Sequence, residues 1–75
     1  MNQYQIVIMA SKRPETLERI LRIIRHRGFD VLSMQVQTEN EHLNLDLHLQ
    51  SERELHLLQN QLVKIPDIIL LKQEK

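Results

Sequence analysis

The sequence lacks the residues that build several common scaffolds and sites. None of its 75 residues is cysteine, which excludes a disulfide framework and a cysteine-ligated zinc site. One glycine and two prolines leave no linker or low-complexity tract. No apolar run approaches the roughly 20 residues of a membrane span, and residues 1–5 lack the charge and hydrophobicity order of a signal peptide. We therefore expect a single domain over residues 1–75 in the cytoplasm.

Aromatic residues and excess charge are also missing. Tyr4 and Phe29 are the only aromatics, and ten basic residues balance ten acidic ones. Nucleic-acid-binding domains are usually basic, and many stack bases on aromatic rings. There is neither a cysteine nucleophile nor a glycine-rich phosphate loop. The composition argues against nucleic-acid binding and against intrinsic catalysis.

Four histidines raise the question of a metal site. His42 and His48 share a predicted strand face but lie about 20 Å apart at the rise of a strand. Neither predicted helix carries two histidines four residues apart. We expect no metal site, and we interpret the histidines as solvent-facing.

Hydrophobic periodicity predicts two helices. Leucine and isoleucine at positions 17, 20, 21 and 24 form one apolar stripe. Pro14 suits the first turn of this helix, and Gly28 suits the left-handed position after its last turn. The pair Ser51 and Glu54 predicts a capping box that opens the second helix, whose leucines at 55, 58 and 62 form its stripe.

Four strands are predicted, at residues 4–9, 31–38, 42–50 and 68–71. The third alternates leucine with polar residues, which indicates one buried face. In the second, we expect Leu32, Met34 and Val36 to face inward. The first is apolar on both sides, so its outward Val7 and Met9 should form an uncovered apolar patch with the fourth strand. Such patches usually mark protein interfaces.

The element order predicts an α+β domain of the ferredoxin-like βαββαβ type. Right-handed crossovers put both helices on one face of a four-stranded antiparallel sheet whose first and third strands are central. The first βα loop then joins a central strand to a helix N-terminus, whose free N–H groups attract carboxylates. A ligand site and an ordinary turn both remain open for this loop, which consists of Ser11, Lys12, Arg13, Pro14 and Glu15.

The polar side of the first helix carries Arg19, Arg22 and His26. This side is either a surface for an acidic partner or a solvated face with Glu15–Arg19 and Glu18–Arg22 pairs. The sequence does not decide whether a partner would meet this side or the patch of Val7 and Met9.

The segment PETLERILRIIRHRGFDVLSM, residues 14–34, follows a strand ending in MAS and resembles an ACT domain. Its runs PETLER and RHRGF are similar to the small regulatory subunits of acetohydroxyacid synthase (acetolactate synthase) of the isozyme II type. Residues 40–75 match these subunits only in pattern. The resemblance implies association with a large catalytic subunit, activation of that subunit, and a homodimer of ACT domains paired side by side. Thiamine diphosphate, magnesium and FAD would belong to the catalytic subunit, so this chain would bind no cofactor.

Many relatives of this kind bind valine through an N-x-x-G motif in the first βα loop, and the matching positions here are Lys12 and Glu15. A side chain replaces the glycine at a point of close approach, and its negative charge would face the carboxylate of the ligand. We therefore expect a valine-insensitive activating subunit in branched-chain amino acid biosynthesis. The alternative is a stand-alone amino-acid-sensing ACT domain with a working loop site.

Overall fold

The computed structural model describes residues 2–74. The elements are β1 (Asn2–Ser11), α1 (Thr16–His26), β2 (Asp30–Glu39), β3 (His42–Ser51), α2 (Leu55–Leu62) and β4 (Ile68–Glu74). The strand order is β2-β3-β1-β4, and all neighbours pair antiparallel, which confirms the ferredoxin-like arrangement with the first and third strands central. In the described residues, neither helix has the length and apolar character that crossing a membrane requires.

The core lies on one side of the sheet. In β1, Ile6 and Ile8 are fully buried, whereas Val7 and Met9 between them are half-buried, because successive strand residues point to opposite faces. The leucines of β3 continue the buried face, as their alternation predicts. The helices cover this face with five buried hydrophobic side chains: Ile20, Ile24, Leu55, Leu58 and Leu62. The opposite side, called the open face below, has no covering layer within residues 2–74.

The end of α1 is as its sequence predicts. Gly28 has φ +87°, its N–H donates to the carbonyl of Arg25, and the N–H of Phe29 donates to the carbonyl of Ile24, both at 3.1 Å. These two bonds make a Schellman motif. The motif folds Phe29 back into the core, where the ring is 1% exposed.

The predicted capping box at the start of α2 is wrong. α2 begins at Leu55, and its N-cap residue Glu54 makes no side-chain cap bond. Ser51 is instead the last residue of β3. Its Oγ donates to the carbonyl of Gly28 at 2.8 Å and accepts from the N–H of Arg53 at 3.0 Å. The hydroxyl therefore connects the α1–β2 turn to β3. These hydrogen bonds take the place of the predicted bond between Ser51 and the N-terminus of α2.

The predicted inward face of β2 needs correction. A bulge between Val31 and Ser33 shifts the register at Leu32, so Val31 packs against the core while Leu32 is 45% exposed. Met34 and Val36 pair with Leu47 and Leu45 and thus point to the helix side. They are nevertheless 37% and 40% exposed, because β2 is at the edge of the sheet, where the two helices do not fully cover the side chains.

β4 is longer than predicted. It continues to Glu74, where Lys72 pairs with Val7 and Glu74 pairs with Gln5. The predicted end of this strand at residue 71 is therefore wrong, and Lys75 lies outside the described residues. Polar residues are compatible with this edge strand, because its backbone groups hydrogen-bond to β1 on one side and face solvent on the other.

Candidate functional site

The first βα loop is tethered on both sides. Ser11, predicted as a loop residue, is instead the last residue of β1. Its N–H donates to the carbonyl of Asp67, and the N–H of Lys12, the first loop residue, donates to the carbonyl of Glu41, each at 2.8 Å. The first bond connects the loop to the segment before β4, and the second connects it to the β2–β3 turn. These two parts of the chain fix the path of the loop.

A buried carboxylate stands at the start of α1. Asp67 is 7% exposed. Its Oδ2 accepts a hydrogen bond from Oγ1 of Thr16 at 3.1 Å, and its Oδ1 lies 3.5 Å from Nε of Arg13. Thr16, the first residue of α1, is fully buried. The carboxylate that Thr16 and Arg13 contact at the start of α1 therefore belongs to this chain and not to a ligand.

The two contacts of Asp67 differ in energy. The side chain of Arg13 is 64% exposed, and an ion pair with so exposed a partner contributes between zero and about 1 kcal/mol. The hydroxyl of Thr16 is buried, and a buried donor without an acceptor costs about 1–3 kcal/mol. The Thr16–Asp67 hydrogen bond is thus the stronger of the two connections between the loop and the segment before β4.

We expect Asp67→Ala to lower the free energy of unfolding by about 1–3 kcal/mol, because it leaves the buried Thr16 hydroxyl without its acceptor. Urea denaturation of the single variants and of Asp67→Ala combined with Thr16→Val measures the coupling, which should exceed about 0.5 kcal/mol. Glu52→Ala, at an exposed position, is the matched control. An Asp67→Ala variant as stable as this control would contradict the role of the carboxylate.

A cavity of about 350 Å³ lies beside the loop, lined by Lys12, Arg13, Pro14, Leu17 and Leu43. Its volume is at the lower end of the range for small-molecule sites. Its lining combines the apolar side chains of leucine and proline with two cationic residues. Of the five predicted loop residues, Ser11 and Glu15 are not among the lining residues. The structure thus brings three of them together around one space.

The predicted partner residues lie on two separate surfaces. Arg19, Arg22 and His26 are exposed on the solvent side of α1. Glu15 and Glu18 do not come within salt-bridge distance of Arg19 and Arg22, since the ion pairs among residues 2–74 are Arg13–Asp67 and His56–Glu54. The charged side chains on the solvent side of α1 are therefore solvated separately.

Val7 and Met9 lie on the opposite surface, the open face. Met9 pairs with Leu70, which is 46% exposed, and Ile69 at the adjoining bulge is 51% exposed. The predicted apolar patch is present, and Lys72 and Glu74 of β4 lie beside it on the same face. We call Val7, Met9, Ile69 and Leu70 the apolar corner.

Two important residues near the loop could not be found from the sequence. Asp67 is 51 positions from Thr16, and no local pattern connects them. The alternation of β3 predicts that Leu43 faces the core, but no sequence pattern marks it as a residue that lines the cavity. Among residues 2–74, no three histidine, aspartate or glutamate side chains group in a way that could hold a metal ion.

Comparison with known proteins settles the family. The sequence profile of the ACT domain matches residues 12–70. The chain belongs to the ACT domain family. Its fold agrees with that of the ACT domain from the GTP pyrophosphokinase of Chlorobium tepidum, with a TM-score of 0.84 at 12% identity over 96% of each chain.

Other relatives of this ACT domain are small subunits. It is 43% identical over 70 residues to the acetolactate synthase isozyme 2 small subunit of Escherichia coli K12, covering 91% of this chain and 80% of that protein. The acetolactate synthase small subunit of Thermotoga maritima has the same fold, with a TM-score of 0.83 at 12% identity, over 97% of this chain and 47% of that one. The resemblance to isozyme II small subunits, expected from residues 14–34, is confirmed.

Proposed function

We propose that this ACT domain is the regulatory small subunit of an acetolactate synthase and activates a large catalytic subunit in branched-chain amino acid biosynthesis. The observation that carries the proposal is the 43% identity to the Escherichia coli small subunit across 91% of the chain. In this proposal the chain is non-catalytic and acts in the cytoplasm. Thiamine diphosphate, magnesium and FAD belong to the catalytic subunit.

Valine insensitivity is part of the proposal. Glu15 brings a negative charge to the position where the relatives' motif has glycine. Arg13, one of the two cations that line the cavity, already pairs with Asp67. A further carboxylate entering beside Arg13 would be repelled by Asp67, and Glu15 adds a negative charge to the same loop. These features support a loop that no longer takes a free amino acid.

A homodimer through β2 is also part of the proposal. β2 is an edge strand, and its residues from Val31 to Thr38 include no charge, although charged side chains are a usual protection of free edges. Three exposed hydrophobic residues lie along it: Leu32, Met34 and Val36. β4, the other edge, carries Lys72 and Glu74. Pairing of β2 with its copy would give a continuous eight-stranded sheet.

A stand-alone amino-acid-sensing domain is the second candidate function. The cavity beside Lys12 and Leu17 supports it, because its size and apolar lining residues would suit a small branched side chain. Calorimetry with valine, leucine and isoleucine distinguishes the two candidates. The sensing domain should give a heat of binding, and the valine-insensitive activating subunit should give none.

Acetolactate formation from pyruvate by an isozyme II-type catalytic subunit tests the activating role. We expect a several-fold, saturable rise when this chain is added, and we expect added valine to leave that rise intact. The ACT domain of a GTP pyrophosphokinase is the fold-matched control and should give no rise. No rise with this chain would contradict the activating role, and a rise that valine abolishes would contradict the interpretation of Lys12 and Glu15.

A further inference from the structure

The open face is built like the centre of a protein interface. Leu70 is 46% exposed and pairs with the half-buried Met9, two residues from Val7, and Ile69 at the bulge next to Leu70 is 51% exposed. Stable interfaces have an apolar centre with a polar rim. By contrast, none of the α1 residues 16–26 is an exposed large hydrophobic. The open face therefore offers a partner more apolar contact area than the solvent side of α1.

A polar cavity adjoins the apolar corner. It has a volume of about 200 Å³ and is lined by Val7, Gln35, Gln37, Asn44, Leu45 and Asp46. Asp46 lies between Val7 and Gln35 in the sheet, and its Oδ1 accepts a hydrogen bond from Nε2 of Gln5 at 3.3 Å. The lining combines a carboxylate with amide oxygens, all of which can accept hydrogen bonds from a cationic side chain.

The charges of the open face favour a basic partner. The strand register places four acidic side chains on this face, together with Lys72 and two histidines, His42 and His48. A surface with this balance attracts a positive surface and repels a negative one. The four acidic residues are Asp30, Glu39, Asp46 and Glu74.

We propose that the large catalytic subunit docks on this open face, with an apolar side chain over Val7, Met9 and Leu70 and an arginine or lysine in the cavity beside Asp46. The inference rests on the proposed function, because it names the surface through which activation occurs. Arginine is enriched among the residues that dominate binding, and its planar donors match a carboxylate and neighbouring amide oxygens. The solvent side of α1, with Arg19, Arg22 and His26, then stays free in the complex.

Three variants test the docking surface. Leu70→Lys and Asp46→Lys each place a positive charge opposite the basic surface of the partner, and Arg22→Glu is the matched charge reversal on α1. We expect the first two to raise, by roughly tenfold or more, the concentration of this chain needed for half-maximal activation. We expect Arg22→Glu to change it by less than about threefold, as for a charge outside the interface. Circular dichroism and thermal melts confirm that each variant is folded.

The outcomes separate the inference from the function on which it rests. If the unsubstituted chain does not activate, the proposed function fails. If it activates and only Arg22→Glu weakens activation, or if all three variants match it, the open face is not the docking surface. If Leu70→Lys or Asp46→Lys instead dissociates the chain from its own copy in the absence of catalytic subunit, a second copy occupies the face, and the proposal is overturned.

Discussion

Replacing Leu47 with alanine is expected to remove much of the stability of the domain. Leu47 is fully buried and lies on the helix side of β3, where it pairs with Ile6 on one side and Met34 on the other. Truncating a buried leucine costs about 2–5 kcal/mol, because transfer energy is lost and a cavity remains. A domain of this length has about 4–11 kcal/mol in total. A loss of about 3 kcal/mol should lower the melting temperature by roughly 10–20 °C.

Leu57→Ala is the control for this measurement. Leu57 is in α2 but is 45% exposed, so the same truncation there should change the free energy of unfolding by less than about 0.5 kcal/mol. Both variants should be melted at one protein concentration, because self-association makes the melting temperature depend on concentration. Equal losses in the two variants would contradict the placement of the core beneath the helices.

Val36→Lys is expected to dissociate the proposed homodimer. Val36 is near the middle of β2 and is 40% exposed, and lysine on an edge strand opposes pairing with another strand. In a symmetric pair each copy would bring its lysine to the contact, so two like charges would be placed there. We expect the dissociation constant, measured by sedimentation equilibrium, to rise by roughly tenfold or more.

Leu70→Lys makes the same chemical change on the opposite edge strand and is the control. The pair of variants separates assembly from docking: Val36→Lys should be monomeric, whereas Leu70→Lys should remain dimeric and activate poorly. Dissociation by Leu70→Lys would mean that a second copy covers the open face beside β4, which would contradict both the pairing through β2 and the docking of the catalytic subunit on that face. If the unsubstituted chain is monomeric in the same measurement, the proposed homodimer is wrong.

Much of the fold follows from local signals in the sequence. The isoleucines and leucines of α1 recur at helical spacing, and Gly28 ends that helix in a conformation that other residues rarely adopt. The alternation in β3 predicts its buried face because successive strand side chains point in opposite directions. These signals involve residues close together in the chain, so no tertiary information is needed to interpret them.

The predictions from sequence are wrong where a group distant in the chain takes a hydrogen-bonding atom, where a bulge shifts the strand register, or where the helices do not fully cover the sheet. Ser51 has the local pattern of a helix cap, but its hydroxyl bonds to the carbonyl of Gly28, 23 positions away. Leu32 has the right alternation to face inward, but a bulge shifts its register. Met34 and Val36 point to the predicted side and remain exposed, because burial depends on what lies above a strand as well as on the direction of its side chains.

Some features of the candidate sites likewise follow from the sequence, and others follow only from the tertiary structure. The sequence by itself determined the βαββαβ order, the ACT resemblance, the loop of Lys12 and Glu15, and the outward position of Val7 and Met9, because each depends on periodicity or on a contiguous motif. The tertiary structure alone decided that Asp67 reaches Thr16, that Leu70 is the residue of β4 that pairs with Met9, and that Asp46 adjoins a cavity. These contacts join residues 41 or more positions apart or lie across strand pairs, and their partners are selected by packing and register.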